Sequence, residues 1–110
     1  MKKLSLKINT ENLILGGEDK DKSPIELCVA VIKNVILSFG SQQRGFQEED
    51  RRKYYKISDA LAAAIKEGVD EIELEDDWVG FMRKCFREST LIPNPLLRAV
   101  EDLIQDIKDR

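Results

Sequence analysis

The segment from Ser23 to Phe39, SPIELCVAVIKNVILSF, constrains the fold more than any other part of the sequence. It begins as helices begin, with Ser23 as a cap, Pro24 at the first helical position and Glu26 reaching back as a capping box. At 100° per residue its apolar side chains cover roughly half of the helix circumference. One neighbour cannot cover so wide a face. We therefore expect this first helix, from Pro24 to about Phe39, to be the most buried element.

Three further amphipathic helices follow in the sequence. The second is expected from about Gln47 to Glu67 with Gly68 as its stop, and the third from about Asp76 to Glu88. In the third helix Trp78 belongs to the apolar face, while Arg83 is expected to face water. The fourth helix starts at Asn94 and Pro95. Its apolar stripe is formed by Leu96, Leu97, Val100, Leu103, Ile104 and Ile107.

Two short segments alternate apolar and polar residues, which is typical of strands. They run from Leu4 to Ile8 and from Ile72 to Glu75, and each is too short to be stable alone, so we expect them to pair. The chain has 110 residues, enough for one core and too few for two. The predicted fold is α+β, a four-helix domain with a small two-stranded β-ribbon. It forms a single globular domain over residues 1–110, with flexible loops at about 16–22 and 40–47.

The acidic segment 70–77, DEIELEDD, is the one stretch whose side chains raise the question of an active site or a metal site. Its glutamates Glu71, Glu73 and Glu75 share one face of a strand, where water solvates them. Asp76 and Asp77 then fall at the start of the third helix, where carboxylates cap free N–H groups and complement the helix dipole. A calcium or magnesium site needs a curved loop, usually with a glycine, and this segment has none. We therefore expect that this segment has a structural role and binds no metal.

Catalytic patterns are missing from the sequence. There is no histidine, and the two cysteines, Cys28 and Cys85, fall on apolar helix faces, where free cysteine usually behaves as a small hydrophobe. A disulfide is the less favoured interpretation, and the residues cannot make a standard zinc site. The segment LGGED lacks the lysine of a phosphate-binding loop. We expect no catalytic residues and no cofactor, and therefore no enzyme.

Charge and hydropathy narrow the classes of partner. A net charge of −3 and a pI near 5.1 give no general attraction for nucleic acid, and the acidic side chains of the fourth helix would repel phosphates. The apolar run after Ser23 is interrupted by Glu26, Lys33 and Asn34 and is expected to be too short to cross a bilayer. The amino terminus has no apolar signal-peptide core. We expect a cytoplasmic protein that binds neither nucleic acid nor membrane.

A cluster of basic and aromatic residues, RRKYYK, lies near the start of the second helix. Its residues Arg51, Arg52, Tyr55 and Lys56 fall on the solvent side, whereas Tyr54 turns inward. Tyrosine and arginine are the residue types that anchor protein interfaces, so this is the candidate for partner contact. The alternative is a solvated helix face balanced by pairs such as Glu48 with Arg52.

The wide apolar arc of the first helix also raises the question of self-association. A homodimer would hide leftover apolar area, and the fourth helix offers Leu97 and Ile104 as an oligomer interface. The alternative is a monomer in which the segment 40–50, GSQQRGFQEED, folds back and covers the first helix with Phe46.

The order of these elements resembles that of small proteins encoded in phage and prophage genomes. The resemblance covers nearly the whole chain, and its most telling piece is IELEDDWVGFMRKCF, an alternating strand, a carboxylate and a lysine-bearing amphipathic helix. It implies a non-enzymatic accessory protein of the host cytoplasm that acts by protein–protein contact in head or tail assembly, with association with the virion as a further expectation. The alternatives are a regulator that binds a host protein and, less favoured, a small metal-binding protein using residues 70–77.

Overall fold

The computed structural model describes residues 2–8 and 22–109. Its elements in chain order are β1 (Lys2–Ser5), α1 (Pro24–Gln42), α2 (Glu48–Glu67), β2 (Glu71–Leu74), α3 (Asp76–Glu88), α4 (Pro95–Gln105) and β3 (Lys108–Asp109). The α+β class and the four predicted helices are confirmed. The loop expected at about 16–22 lies outside the described residues except for Lys22.

The strands form an antiparallel sheet in the order β2-β1-β3. The predicted pairing is confirmed, with Leu4 opposite Ile72. Strand β1 ends earlier than expected, at Ser5, although the N–H of Leu6 still donates to the carbonyl of Asp70 at 2.7 Å. The two-residue strand β3, which the sequence did not predict, pairs with the other side of β1. In the described part of the chain, β1 is therefore central and β2 is an edge.

Helix α1 is the centre of the domain, as its wide apolar face requires, and it contacts each of the other three helices. The hydroxyl of Ser23 accepts from the N–H of Glu26 at 3.2 Å, as predicted. The carboxylate of Glu26 takes its bond from that hydroxyl at 3.3 Å, whereas a full capping box would use the backbone N–H. Most of the apolar side chains of α1, including Ile32 and Ile36, are fully buried.

The helix continues to Gln42, three residues beyond the predicted end at Phe39. In the described residues it is the one helix long and apolar enough to span a membrane by length and composition alone, and 44% of that window is buried inside the molecule. The expectation that the run is too short is therefore wrong. The core helix of a soluble protein passes the same test, so the length carries no further conclusion.

The connection between α1 and α2 is a compact turn. Gly40 is inside α1, and the N–H of Gly45 donates back to its carbonyl at 2.7 Å. Gly45 has a φ of 112°, which favours glycine, and Arg44 also has a positive φ, of 64°. After this turn the half-buried Phe46 packs on the helices, with ring centroids 6.5 Å from Phe39. The loop expected at about 40–47 is thus reduced to residues 43–47, and Phe46 covers α1 as the monomer alternative predicted.

The proposed oligomer interface on α4 requires correction. Leu97 is 7% exposed and Ile104 is 0% exposed within the single chain, because both side chains face the core formed with α1 and α3. The amphipathic stripe was correctly identified, but the chain itself covers it. Neither residue is therefore available to a second copy without opening the domain.

The ends of the helices show which polar residues position them. Asn94 caps α4 by accepting from the N–H of Leu97 at 2.8 Å, and Gly68 ends α2 with a φ of 69°.

Arg83 was expected to face water, and this is wrong. Its guanidinium donates to three carbonyls at the end of α4, those of Ile104 and Gln105 at 3.3 Å and Ile107 at 3.0 Å. It satisfies carbonyls that the helix leaves unpaired and so fastens α4 to α3.

Candidate functional site

The predicted contact residues lie together on one side of the first half of α2. Arg51, Arg52, Tyr55 and Lys56 are all exposed, and we call these four residues the α2 contact face. At 100° per residue they occupy adjacent positions over an arc of about 140°. Tyr55 is 54% exposed, whereas Tyr54 is half-buried, as predicted. The ring of Tyr54 stacks at 6.2 Å on the ring of Phe46, which anchors the face to the core.

The charges of this face are only partly neutralised within the chain. Arg52 pairs with Glu48 at 2.7 Å, the predicted i to i+4 pair, but both side chains are more than half exposed, so the pair contributes little to stability. Among the described residues, Arg51 and Lys56 form no ion pair. The face therefore carries two cations that are open to a carboxylate of another molecule.

A cleft of about 360 Å³ adjoins the α2 contact face. Arg52, Lys53 and Lys56 form one wall, and Glu75 and Trp78 form the other. Trp78 was expected to be buried with the rest of its helix face, but it is only half-buried. Its indole stands in the first turn of α3, at the end of the apolar stripe. The cleft therefore has an aromatic ring on one wall and three cations on the other, of which Lys56 forms no ion pair in the described residues.

The acidic segment serves the scaffold in part as predicted. Glu71 and Glu73 are exposed on β2, and the ammonium of Lys3 on β1 lies 3.4 Å from the carboxylate of Glu71. The residue at the cap position of α3 is Glu75, so Asp76 is not the cap and instead occupies the first helical position. The described residues bring no three metal-ligating side chains together. The contribution of Asp76 to the scaffold is therefore the favourable interaction of its carboxylate with the positive end of the helix dipole.

Both cysteines are free and lie in the core. Burial raises the pKa of the Cys28 thiol to about 12. It also raises the pKa of Cys85 to about 12, with a smaller contribution from the charge of Asp50. Since these values lie above the ordinary 9.0, the stability that the neutral thiols contribute is complete below pH 9 and is lost as the pH rises through about 12. Near neutral pH both thiols are protonated and poor nucleophiles.

A second cleft, of about 290 Å³, lies between α1 and the segment that leads into α4. Val31 and Val35 line it on one side, and Leu91, Ile92 and Leu96 on the other. Ile92 is 86% exposed, which is unusual for a large apolar side chain. No sequence pattern indicated this cleft, because Ile92 precedes a proline in a segment without periodicity.

Comparisons with known proteins find no relative of this chain. No family model matches the sequence, no curated protein matches it and no solved structure matches the fold. Function must therefore be argued from the surfaces described above.

Proposed function

We propose that this protein is a non-enzymatic accessory protein that binds another protein through the α2 contact face. The observation that supports this proposal is that exposed Tyr55 precedes Lys56 on α2, and that Lys56, a cation with no ion pair in the described residues, lines one cleft together with half-buried Trp78. Tyrosine, tryptophan and arginine supply most of the binding energy at protein interfaces. Here all three types occur at one end of the α2–α3 pair.

The chemistry of the other candidate residues favours contact over catalysis. The two thiols are buried and protonated, and the glutamates of β2 are exposed on the solvent face of a short strand. The clefts hold no pair of groups arranged as nucleophile and base. The resemblance to phage and prophage proteins suggests head or tail assembly as the setting, with regulation of a host protein as the alternative.

The unpaired charges indicate the chemistry of the partner's surface. Arg51 and Lys56 lie at the two edges of the α2 contact face with Tyr55 between them, so carboxylates on the partner would meet them around an apolar or aromatic contact. Such rim charges mainly increase the rate of association, whereas the buried aromatic contact sets the lifetime of the complex.

Quantitative co-purification from the natural host tests this proposal. The test variant replaces Tyr55 and Lys56 with alanine. Its matched control replaces Ile92 and Arg98 with alanine, which also removes one large exposed side chain, here at the other cleft, and one exposed cation, here on α4. We expect a protein retained by the wild type and by the control to be reduced at least tenfold with the test variant. Equal retention by all three chains, each with native circular dichroism, would refute the proposal.

A further inference from the structure

On the outer side of β2, Glu73 has a backbone N–H and C=O that the described residues leave without partners. The bond from Leu6 to Asp70 fixes which pairs of the antiparallel ladder are hydrogen-bonded, because these alternate along the strands. Ile72 and Leu74 therefore bond towards β1, and the N–H and C=O of Glu73 point away from it. Within residues 2–8 and 22–109, nothing accepts from or donates to these two groups of Glu73.

Both ends of this open edge adjoin a feature that could receive a side chain. At the carboxyl end, Glu75 lines the cleft that contains Lys56 and Trp78. At the amino end, Ile65 and Val69 are 42% and 40% exposed. At about 3.3 Å per residue, the distance from residue 69 to residue 75 is about 20 Å, which matches an extended segment of about six residues.

The sheet itself shows which side chains the acidic strand accepts as neighbours. On its solvent face, β1 places Lys3 directly opposite Glu73 and within 3.4 Å of the carboxylate of Glu71. Opposite charges on neighbouring strands stabilise a sheet. A strand added on the other side of β2 would meet the same face of glutamates, and basic residues at alternate positions would suit it in the same way.

We propose that the open edge of β2 binds an extended segment of the partner protein, which adds a strand to the sheet. Lysine or arginine side chains at alternate positions lie beside Glu73, and an apolar side chain at one end enters the cleft at Trp78. In this mode of recognition, main-chain hydrogen bonds give affinity, and pockets for alternate side chains give specificity. The inference rests on the proposed function in one respect, namely that the partner is a protein.

A second copy of this chain does not suit the edge. Symmetric antiparallel pairing of two β2 strands would set glutamates beside glutamates on the solvent face, and like charges on neighbouring strands are destabilising. Charges on an edge strand are also a common protection against pairing between copies. The same carboxylates thus disfavour self-association and attract a basic segment.

Hydrogen exchange with a designed peptide tests the inference. The probe is an acetylated and amidated octapeptide of alternating lysine and valine, and its matched controls are the alternating glutamate and valine peptide and a lysine peptide N-methylated at alternate residues. With the lysine probe at saturation, we expect exchange of the Glu73 amide to slow at least tenfold, while the Ile72 amide, already bonded to β1, changes little. Both control peptides should bind at least tenfold more weakly.

Charge reversal supplies the second arm of the test. Glu73→Lys should weaken binding of the lysine probe at least tenfold relative to Asp102→Lys, which makes the same charge change at an exposed position of α4. Glu73→Gln, which keeps the size of the side chain, should fall between them, and circular dichroism checks that each variant folds.

Three outcomes would overturn the inference: no binding of the lysine probe at about 1 mM, binding that leaves exchange of the Glu73 amide unchanged, or equal affinities of Glu73→Lys and Asp102→Lys. These results leave the proposed function untouched, because co-purification with the Tyr55 and Lys56 variant measures it independently. Loss of the natural partner in that variant, together with an unprotected Glu73 amide, would keep the α2 contact face and reject the added strand.

Discussion

Gly40→Ala should destabilise the wild-type protein but stabilise a variant from which the ring of Phe46 has been removed. A Cβ placed on Gly40 would lie 2.6, 2.7 and 3.0 Å from three ring atoms of Phe46, which are its nearest neighbours. The ring cannot easily move away, since it packs on Phe39, Tyr54 and Phe81 with centroids 5.8 to 6.5 Å apart. Glycine is thus required inside α1 by the close approach of this ring.

The magnitudes follow from packing and helix propensity. Phe46→Ala should cost about 2 kcal/mol, roughly half of the value for a fully buried phenylalanine, because the ring is half-buried. Gly40→Ala gains at most about 1 kcal/mol of helix propensity, but overpacking against the ring costs about 2 kcal/mol, so the single change should destabilise by about 1 kcal/mol. In the Phe46→Ala background the ring is gone, and Gly40→Ala should stabilise by about 0.5 to 1 kcal/mol.

A double-mutant cycle by urea denaturation measures this coupling. We expect an interaction energy of about 2 kcal/mol, with Gly40→Ala destabilising in the wild type and stabilising in Phe46→Ala. Additivity within about 0.5 kcal/mol would show that the ring does not rest on Gly40, and the compact turn between α1 and α2 would then be wrong.

The remaining predictions concern the sheet, an exposed helix position, the α3–α4 contact and the thiols. Leu74→Asp should destabilise by a few kcal/mol, because Leu74 is fully buried, and a thermal melt like that of the wild type would refute the buried strand. Gly80→Ala should stabilise by about 0.5 to 1 kcal/mol, as α3 gains helix propensity and the new Cβ meets nothing within 4 Å; a loss of stability in urea denaturation would contradict this. Arg83→Met should cost about 1 to 3 kcal/mol by the same assay, since it removes the donor shared by three carbonyls at and just after the end of α4, and an unchanged midpoint would reject that role. Cys28 and Cys85 should react with a thiol reagent at pH 8 only as fast as the protein unfolds, and rapid labelling of the native protein would show that they are accessible.

Much of the fold could be predicted because its boundaries depend on local chemistry. Ser23 with Pro24, Asn94 with Pro95, and Gly68 mark helix ends by backbone effects that need no tertiary contact. The pairing of β1 with β2 followed from two short alternating segments. These features act within a few residues, so one sequence is enough to recognise them.

The errors arose where contacts distant in sequence decide the outcome. Gly40 was assigned to the loop expected at about 40–47, yet it lies within α1, where the close approach of the Phe46 ring leaves no room for a side chain. Arg83 was interpreted as a solvated charge because its partner carbonyl, that of Ile104 at the end of α4, lies 21 residues further along the chain. Trp78 belongs to an apolar stripe, but no neighbour covers its whole ring. In the candidate site, the α2 contact face was predicted, whereas the cleft at Trp78 and the open edge of β2 depend on tertiary structure.

The most direct test of the central claim is photo-crosslinking from the α2 contact face in the natural host. Benzoylphenylalanine replaces Tyr55 in one chain and, as the matched control, the exposed Ile92 in another. We expect a discrete adduct of one partner protein from position 55 and none from position 92. An adduct from position 92 alone would move the binding surface to the cleft between α1 and α4, and no adduct from either position would contradict function by protein contact at this face.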